Sequence, residues 1–569
     1  MVGHHGTASR SGQQSGLAMK HLELLKSFTL DACHLYISIM DNEFKDKAPR
    51  QRILRLWALS LIAMVASLPV FADQDPLIVQ TLYGSVSGKK DSADTYSWKG
   101  IPYATPPIGD LRWKAPRPPE HWQEVRKASE FGNKAAQVLP VLNWTIGNED
   151  CLYLNVWRPA DDRSKLPVYF WIHGGGNTMG SASSSDYHGH ALASRAGVVF
   201  VSVSYRLGPF GWFSHPGLTT GYPEDDSGNY GTLDLIAALE WVRDNISAFG
   251  GDPENVTIAG ESAGAFNVLT LLLAPKARGL FHKAVVQSGY RTDSTPEMMR
   301  AFAVGLSERL TIPLRDASTA AILKGISPSM AGMLDMPYPN WDGTVLPSDG
   351  YAAFADPSRV ADVPIIIGTN KEETKLFQWL GRTDSHDPLY QARAELSSAR
   401  WKAEGADSVA DALTRGNPNR RVYLYRFDWG APDVSGKSVL GGRAGTKIGA
   451  SHGLEISFFL QTDSMYGNAL PLPIRTKANE AGRKALQAMM GTYLEAFLKE
   501  GNPNAENLPE WEPWSAASDA PPFMVFDANL STPTSRIDYG RTTIESTKAA
   551  FTAYSDPLKA RLKEILRWE

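Results

Sequence analysis

The chain has 569 residues, 43% hydrophobic and 21% charged, with 57 basic against 61 acidic side chains. That near-neutral balance carries no basic stripe and gives no footing for nucleic acid, while the apolar share is ample for a large buried core. Two cysteines, Cys33 and Cys151, are too few for a disulfide framework or a zinc cluster. Neither metal nor organic cofactor is expected.

The N-terminal region reads as export machinery. Lys47, Arg50, Arg52 and Arg55 form a basic flank, followed by an apolar run from Leu56 to Leu68 and by Val70-Phe71-Ala72 before Asp73. A basic flank, a short apolar core and a small residue at the end make a secretory signal; spanning a bilayer takes about 20 apolar residues. The expected organisation is translation from Met40, with residues 1–39 an over-extended start, 40–72 a signal peptide and 73–569 a single domain. After cleavage no stable membrane insertion is expected, and the protein is placed outside the cytoplasm, secreted or periplasmic. The scarcity of cysteine fits a bacterial envelope better than a eukaryotic secretory route.

Beyond Asp73, short apolar runs alternate with longer amphipathic ones. Strands are predicted within "LPVYFWIHGGG" (166–176), "GVVFVSVSYRLG" (197–208), "VTIAG" (256–260), "HKAVVQSG" (282–289), "VPIIIGTN" (363–370) and "RRVYLYRFDW" (420–429). Helices are predicted over 232–251, where Leu235, Leu239 and Val242 recur at helical spacing, and over "AGAFNVLTLLLAP" (263–275). Continuous apolar strands separated by helices imply an α/β fold: a mostly parallel sheet covered on both faces. Chemistry in such a sheet belongs to the loops after the strands.

Ser262 follows one of these strands and opens a helix in "GESAG" (260–264). Gly-x-Ser-x-Gly at a strand-to-helix turn holds a serine in a strained conformation that Cβ atoms two residues away would block. Earlier, "HGGG" (173–176) ends its own strand. Consecutive glycines let backbone amides converge, and Gly175, Gly176 and Ala263 together offer an oxyanion hole. A serine needs a base, and the base needs an acid. Among twelve histidines, His452 in "GASHGLEISFF" sits among small residues after the last strong strand, and "GTNKEET" supplies Glu372 and Glu373 after "PIIIG". Serine, acid, histidine is the chain order this elbow uses.

Across residues 75–530 the chain resembles the type-B carboxylesterase and cholinesterase-like branch of the α/β-hydrolases. The likeness rests on "GIPYATPPIGDLRW" (100–113), "NEDCLYLNVW" (148–157), "HGGG", "SYRLGPFGWFS" (204–214), the run 228–265 and "FLKEGNPN" (497–504). It implies an α/β-hydrolase fold with Ser262 as nucleophile, His452 as base and Glu373, rather than Glu372, as acid. It further implies structural pairs Arg112–Glu149 and Arg206–Asp234, and treats Glu261 as supporting structure. The implied activity is hydrolysis of small-molecule esters through an acyl-enzyme. A lipase acting on long-chain acylglycerols and a non-catalytic adhesion module are the competing readings.

Four departures from the family pattern stand out. Ala135 replaces the usual cysteine partner of Cys151, so the intervening loop is expected to be unpinned. Trp144 stands too near Cys151 for a choline-site tryptophan. Asn177 follows the glycine run where an aromatic is usual, so a different rim to the substrate site is expected. The short stretch between Glu373 and His452 predicts a shortened helical cap. N-terminal sequencing of the exported protein is expected to read Asp73-Gln74; a mature terminus upstream of Arg55 overturns the signal assignment.

Overall fold

The predicted strands assemble with others into one eleven-stranded sheet. In the computed structural model, residues 75–139, 144–292, 294–329 and 333–566 are described. The expected signal peptide and Cys33 lie outside them. The sheet strands in chain order are β1 (Lys89–Asp91), β2 (Thr95–Pro102), β3 (Tyr153–Pro159), β4 (Leu166–Ile172), β5 (Val199–Val203), β6 (Gly251–Glu261), β7 (Lys283–Gln287), β8 (Ile365–Asn370), β9 (Val422–Phe427), β10 (Pro522–Phe526) and β11 (Arg536–Tyr539). Their spatial order is β11-β10-β9-β8-β7-β6-β4-β5-β3-β2-β1. The seven from β10 to β5 run parallel, and antiparallel strands finish both edges.

The helices that matter below are α1 (His190–Ala196), α2 (Tyr230–Asn245), α3 (Ala263–Leu273), α4 (Lys375–Leu380), α5 (Pro388–Lys402), α6 (Ser408–Gly416), α7 (Glu480–Glu500), α8 (Ile544–Thr552) and α9 (Asp556–Leu566). Both faces of β4 are apolar, and the two-residue period sorts them. Val168, Phe170 and Ile172 join the core that holds Leu235 and Leu239 of α2 and Phe266 and Leu269 of α3. Tyr169 and Trp171 join the opposite core with Leu192 of α1 and Met490 and Leu494 of α7. Each large side chain so buried is worth roughly 1.5–3 kcal/mol. Double coverage is why the central strands read as unbroken apolar runs.

Helix α2 stops where its sequence stops being periodic: a 3₁₀ turn, Ile246–Phe249, closes on Gly250 in the left-handed conformation, φ 79°. Helix α3 is buried along its whole length. Between β8 and β9 the chain makes α4, α5, a π turn (Ala403–Asp407) and α6. Among the described residues no helix is long and apolar enough to cross a membrane.

Cys151 is buried and free. The loop before it is tied down all the same. Asn148 N–H donates to the Lys134 carbonyl at 2.8 Å, Ala135 bridges to Asn148, and Gln137 exchanges two hydrogen bonds with the Gly180 backbone. Backbone pairing thus replaces the missing disulfide, correcting the expectation of an unpinned loop. Trp144 lies on this hairpin and is largely exposed.

The two expected ion pairs are present. Arg112 meets Glu149 through two hydrogen bonds of 2.7 and 2.6 Å. Arg206 meets Asp234 through bonds of 2.8 and 2.6 Å, with side chains 2% and 0% exposed. Breaking one half of such a pair strands a buried charge. Asp234→Ala is expected to lower the free energy of unfolding by about 3–5 kcal/mol in urea denaturation.

Candidate active site

The β6–α3 turn explains the two glycines around Ser262. A Cβ on Gly260 would stand 2.4 Å from the Gly264 carbonyl carbon, and one on Gly264 would stand 2.0 Å from the Ile172 oxygen at the end of β4. Neither distance is tolerable, so the turn closes only with hydrogen at both positions. Ser262 itself adopts φ 58°, ψ −121°, a conformation that L residues rarely enter. Its amide donates to the Gln287 carbonyl of β7 at 2.9 Å, and its carbonyl accepts from Phe266 N–H at 2.9 Å. The strained residue is gripped from both sides, half-buried at the positive end of α3.

Opposite lies the glycine run after β4. Gly175 and Gly176 have φ of 109° and 61°. Met333 crosses this run: a Cβ on Gly176 would stand 2.2 Å from its sulfur. Among the described residues, none accepts a hydrogen bond from the amides of Gly175, Gly176 or Ala263. Ala263 occupies the first turn of α3, where amides lack intrahelical partners.

Two loops staple the acid to the histidine. Glu372 and Ala450 exchange bonds of 2.9 and 3.1 Å, and His452 N–H donates to the Glu373 carbonyl at 3.2 Å. The side chains of the two glutamates then part. Glu372 turns to Lys375, 2.7 Å away, in a buried ion pair. Glu373, with no exposure, accepts Asn370 N–H at 2.7 Å and His452 Nδ1–H at 2.6 Å. A carboxylate only accepts, so Nδ1 carries the proton.

The other ring nitrogen meets a residue that the sequence reading left as scaffolding. Nε2 of His452 lies 3.1 Å from Oε1 of Glu261, and neither atom makes a hydrogen bond among the described residues. The Ser262 hydroxyl, the expected partner, is not bonded to it. Two bare lone pairs at 3.1 Å would repel, so a proton resides on one of them. Burial pulls the imidazole down, but the carboxylates of Glu261 and Glu373 and the Glu373 hydrogen bond outweigh it and raise its pKa to about 9. Burial, with the charge of Glu373 behind it, raises Glu261 to about 7 against the pull of His452. A third acid, Glu455, accepts from Asn370 Nδ2 and, at 3.4 Å, from Ser288 Oγ. Burial and the acids Glu261 and Glu373 push it up to about 8.

Aromatic rings wall the imidazole. Phe377 and Trp401 have centroids 5.0 and 4.9 Å from that of His452. Trp401 sits near the end of α5, just before the π turn, and donates to the Gly289 carbonyl at 2.9 Å. Met333, Phe377 and Trp401 come from segments with no motif to announce them; nothing local in the sequence marks them. Asn177 puts no side chain at the surface of the site. It is wholly buried beneath the glycine run rather than on a rim. Among the described residues no group of three or more His, Cys, Asp or Glu is arranged to hold a metal ion.

The chain is similar in sequence and fold to known proteins. The sequence model of the Carboxylesterase family matches residues 75–407 and 378–539. Para-nitrobenzyl esterase of Bacillus subtilis is 34% identical over 471 residues, covering 75% of this chain and 91% of that protein. Carboxylesterase 1D of Rattus norvegicus is 32% identical, covering 80% and 91%. A solved structure of PNB esterase superposes with a TM-score of 0.66 at 31% identity, covering 84% of this chain and 99% of that one. On the strength of that match and of the fold it shares, this chain belongs to the carboxylesterase family and is a serine hydrolase of carboxylic esters.

Proposed function

We propose that Ser262, His452 and Glu373 form the catalytic triad, with the amides of Gly175, Gly176 and Ala263 as the oxyanion hole. The observation carrying this is the 2.6 Å bond from His452 to a wholly buried Glu373, with Nε2 at the residue next to a strained serine. Ser262 Oγ attacks the ester carbonyl, Nε2 takes its proton, and the carbonyl oxygen moves toward the unpartnered amides. The imidazolium then protonates the leaving alcohol. Water repeats the sequence on the acyl-enzyme, and the acid is released.

Glu261 tunes the base. Its charge and that of Glu373 stabilise the imidazolium that forms on proton transfer, and for the same reason they hold the resting ring protonated to higher pH. His452 and Glu261 titrate as a pair. Activity requires neutral His452, so the rate rises as pH climbs through the raised pKa.

The substrate class follows from family and walls together. The apolar flank of Met333, Phe377 and Trp401 suits small, uncharged esters. Export from the cytoplasm as one domain after the signal completes the reading.

Ser262→Ala is expected to abolish hydrolysis of a p-nitrophenyl short-chain ester and labelling by a fluorophosphonate; wild-type rates in that variant overturn the triad. Greater activity on emulsified long-chain triglyceride than on soluble short esters would establish a lipase instead. Glu261→Gln removes a negative charge facing Nε2. The rising limb of its kcat/KM–pH profile is expected about one to three pH units lower than in the wild type.

A further inference from the structure

Beneath the glycine run lies a pair of buried amides that the mechanism does not use. Asn177 and Asn267 are both 0% exposed. Asn177 Nδ2 donates to Asn267 Oδ1 at 3.2 Å, and Asn267 Nδ2 donates back to Asn177 Oδ1 at 2.9 Å. Asn177 belongs to the loop of Gly175 and Gly176, while Asn267 lies in α3, one turn beyond Ala263. Two hydrogen bonds therefore join the two pieces of backbone that supply the oxyanion donors.

The surroundings tighten this link. Tyr205, after β5, places its hydroxyl 2.7 Å from the His173 carbonyl and 3.2 Å from Asn177 Oδ1. The His173 ring stacks on Tyr205 at 4.7 Å, and burial holds its pKa down at about 4, so it stays neutral under the loop. Gly208 N–H donates to the Asn177 carbonyl at 2.7 Å. Asn177 has φ 52°, which asparagine tolerates better than most residues. That conformation accounts for an asparagine at 177 but not for the second one facing it at 267.

We infer that Asn177 and Asn267 are positioning residues that set the separation of the Gly175–Gly176 amides from the Ala263 amide. The inference rests on the oxyanion-hole assignment proposed above. An oxyanion hole works only when its donors meet the oxygen of the tetrahedral intermediate together, and an error of about 1 Å costs on the order of 100-fold in rate. This chain fixes that distance by a reciprocal amide pair.

The test uses Asn177→Gly, which keeps the positive φ, and Asn267→Leu, which keeps the bulk, singly and combined. Each single variant is expected to lose about 10- to 100-fold in kcat with KM within about threefold. Inhibition by a short-chain trifluoromethyl ketone, whose serine adduct bears the oxyanion, should weaken by the same factor as kcat/KM. The double variant should be hardly worse than the worse single, because the pair acts as a unit. Single variants with kcat within about twofold of wild type, losses confined to KM, or single losses that multiply in the double would each overturn the inference. Should the variants fail to fold, amide exchange in the wild-type protein decides: exchange over 173–180 as slow as over 263–273 supports the link, and exchange as fast as at the exposed turn 434–437 overturns it. Wild-type rates in Ser262→Ala would remove the catalytic reading itself. Full kcat in the Asn variants of a Ser262-dependent enzyme removes only the link.

Discussion

Backbone touches backbone where α3 passes the end of β4. A side chain as small as alanine at Gly264 would press a carbon 2.0 Å from the Ile172 oxygen. Everything at the site follows from that approach. It brings the first amide of α3 beside the loop that leaves β4, and it forces the chain between β6 and α3 through a residue with φ 58°. The strain at Ser262 persists because strand β7, through the Gln287 carbonyl, and helix α3 both hold its backbone. The parallel core beneath, packed on two faces, is what keeps those elements from relaxing apart.

Charge is handled in opposite ways in the scaffold and around His452. Arg206 and Asp234 are buried as a matched pair, each charge answered by the other through short bonds. Around His452 the acids outnumber the base: Glu261, Glu373 and Glu455 are all buried within one network. Burial there drives Glu261 and Glu455 toward their neutral forms, while Glu373, held by Asn370 N–H and the imidazole, serves as acceptor. Such an imbalance costs stability and is characteristic of places where a charge must appear during a reaction. In the proposed mechanism the charge that appears is the imidazolium.

The walls of the site are fixed from farther away. Helix α5, which carries Trp401, packs Leu389 and Leu396 against Phe551 of α8 and Leu562 of α9. Arg561 pairs with Asp387 at the start of α5, and Tyr554 OH donates to Glu395. Helices α8 and α9 lie beyond residue 539, where the family match ends. They brace the helix that carries Trp401.

The motifs and the middle of the sheet were legible in the sequence because they depend on local rules. Six apolar runs gave six parallel strands, Gly-x-Ser-x-Gly marked the turn, and three glycines marked the opposing loop. The antiparallel edge strands β1, β2, β3 and β11 were not legible: β1 and β11 are very short, and β2 pairs with β3 across a long intervening segment. Glu372 and Glu373 are chemically equivalent as text, and only the staple to Ala450 turns one to Lys375 and the other to His452. Glu261, Asn177 and Asn267 likewise acquire meaning only from what faces them. The sequence by itself determined which backbone turns are possible, since a missing Cβ or a fixed period is a property of the residue. Tertiary structure alone decided which buried polar groups meet, since a hydrogen bond or a shifted pKa belongs to a pair and to the dielectric around it.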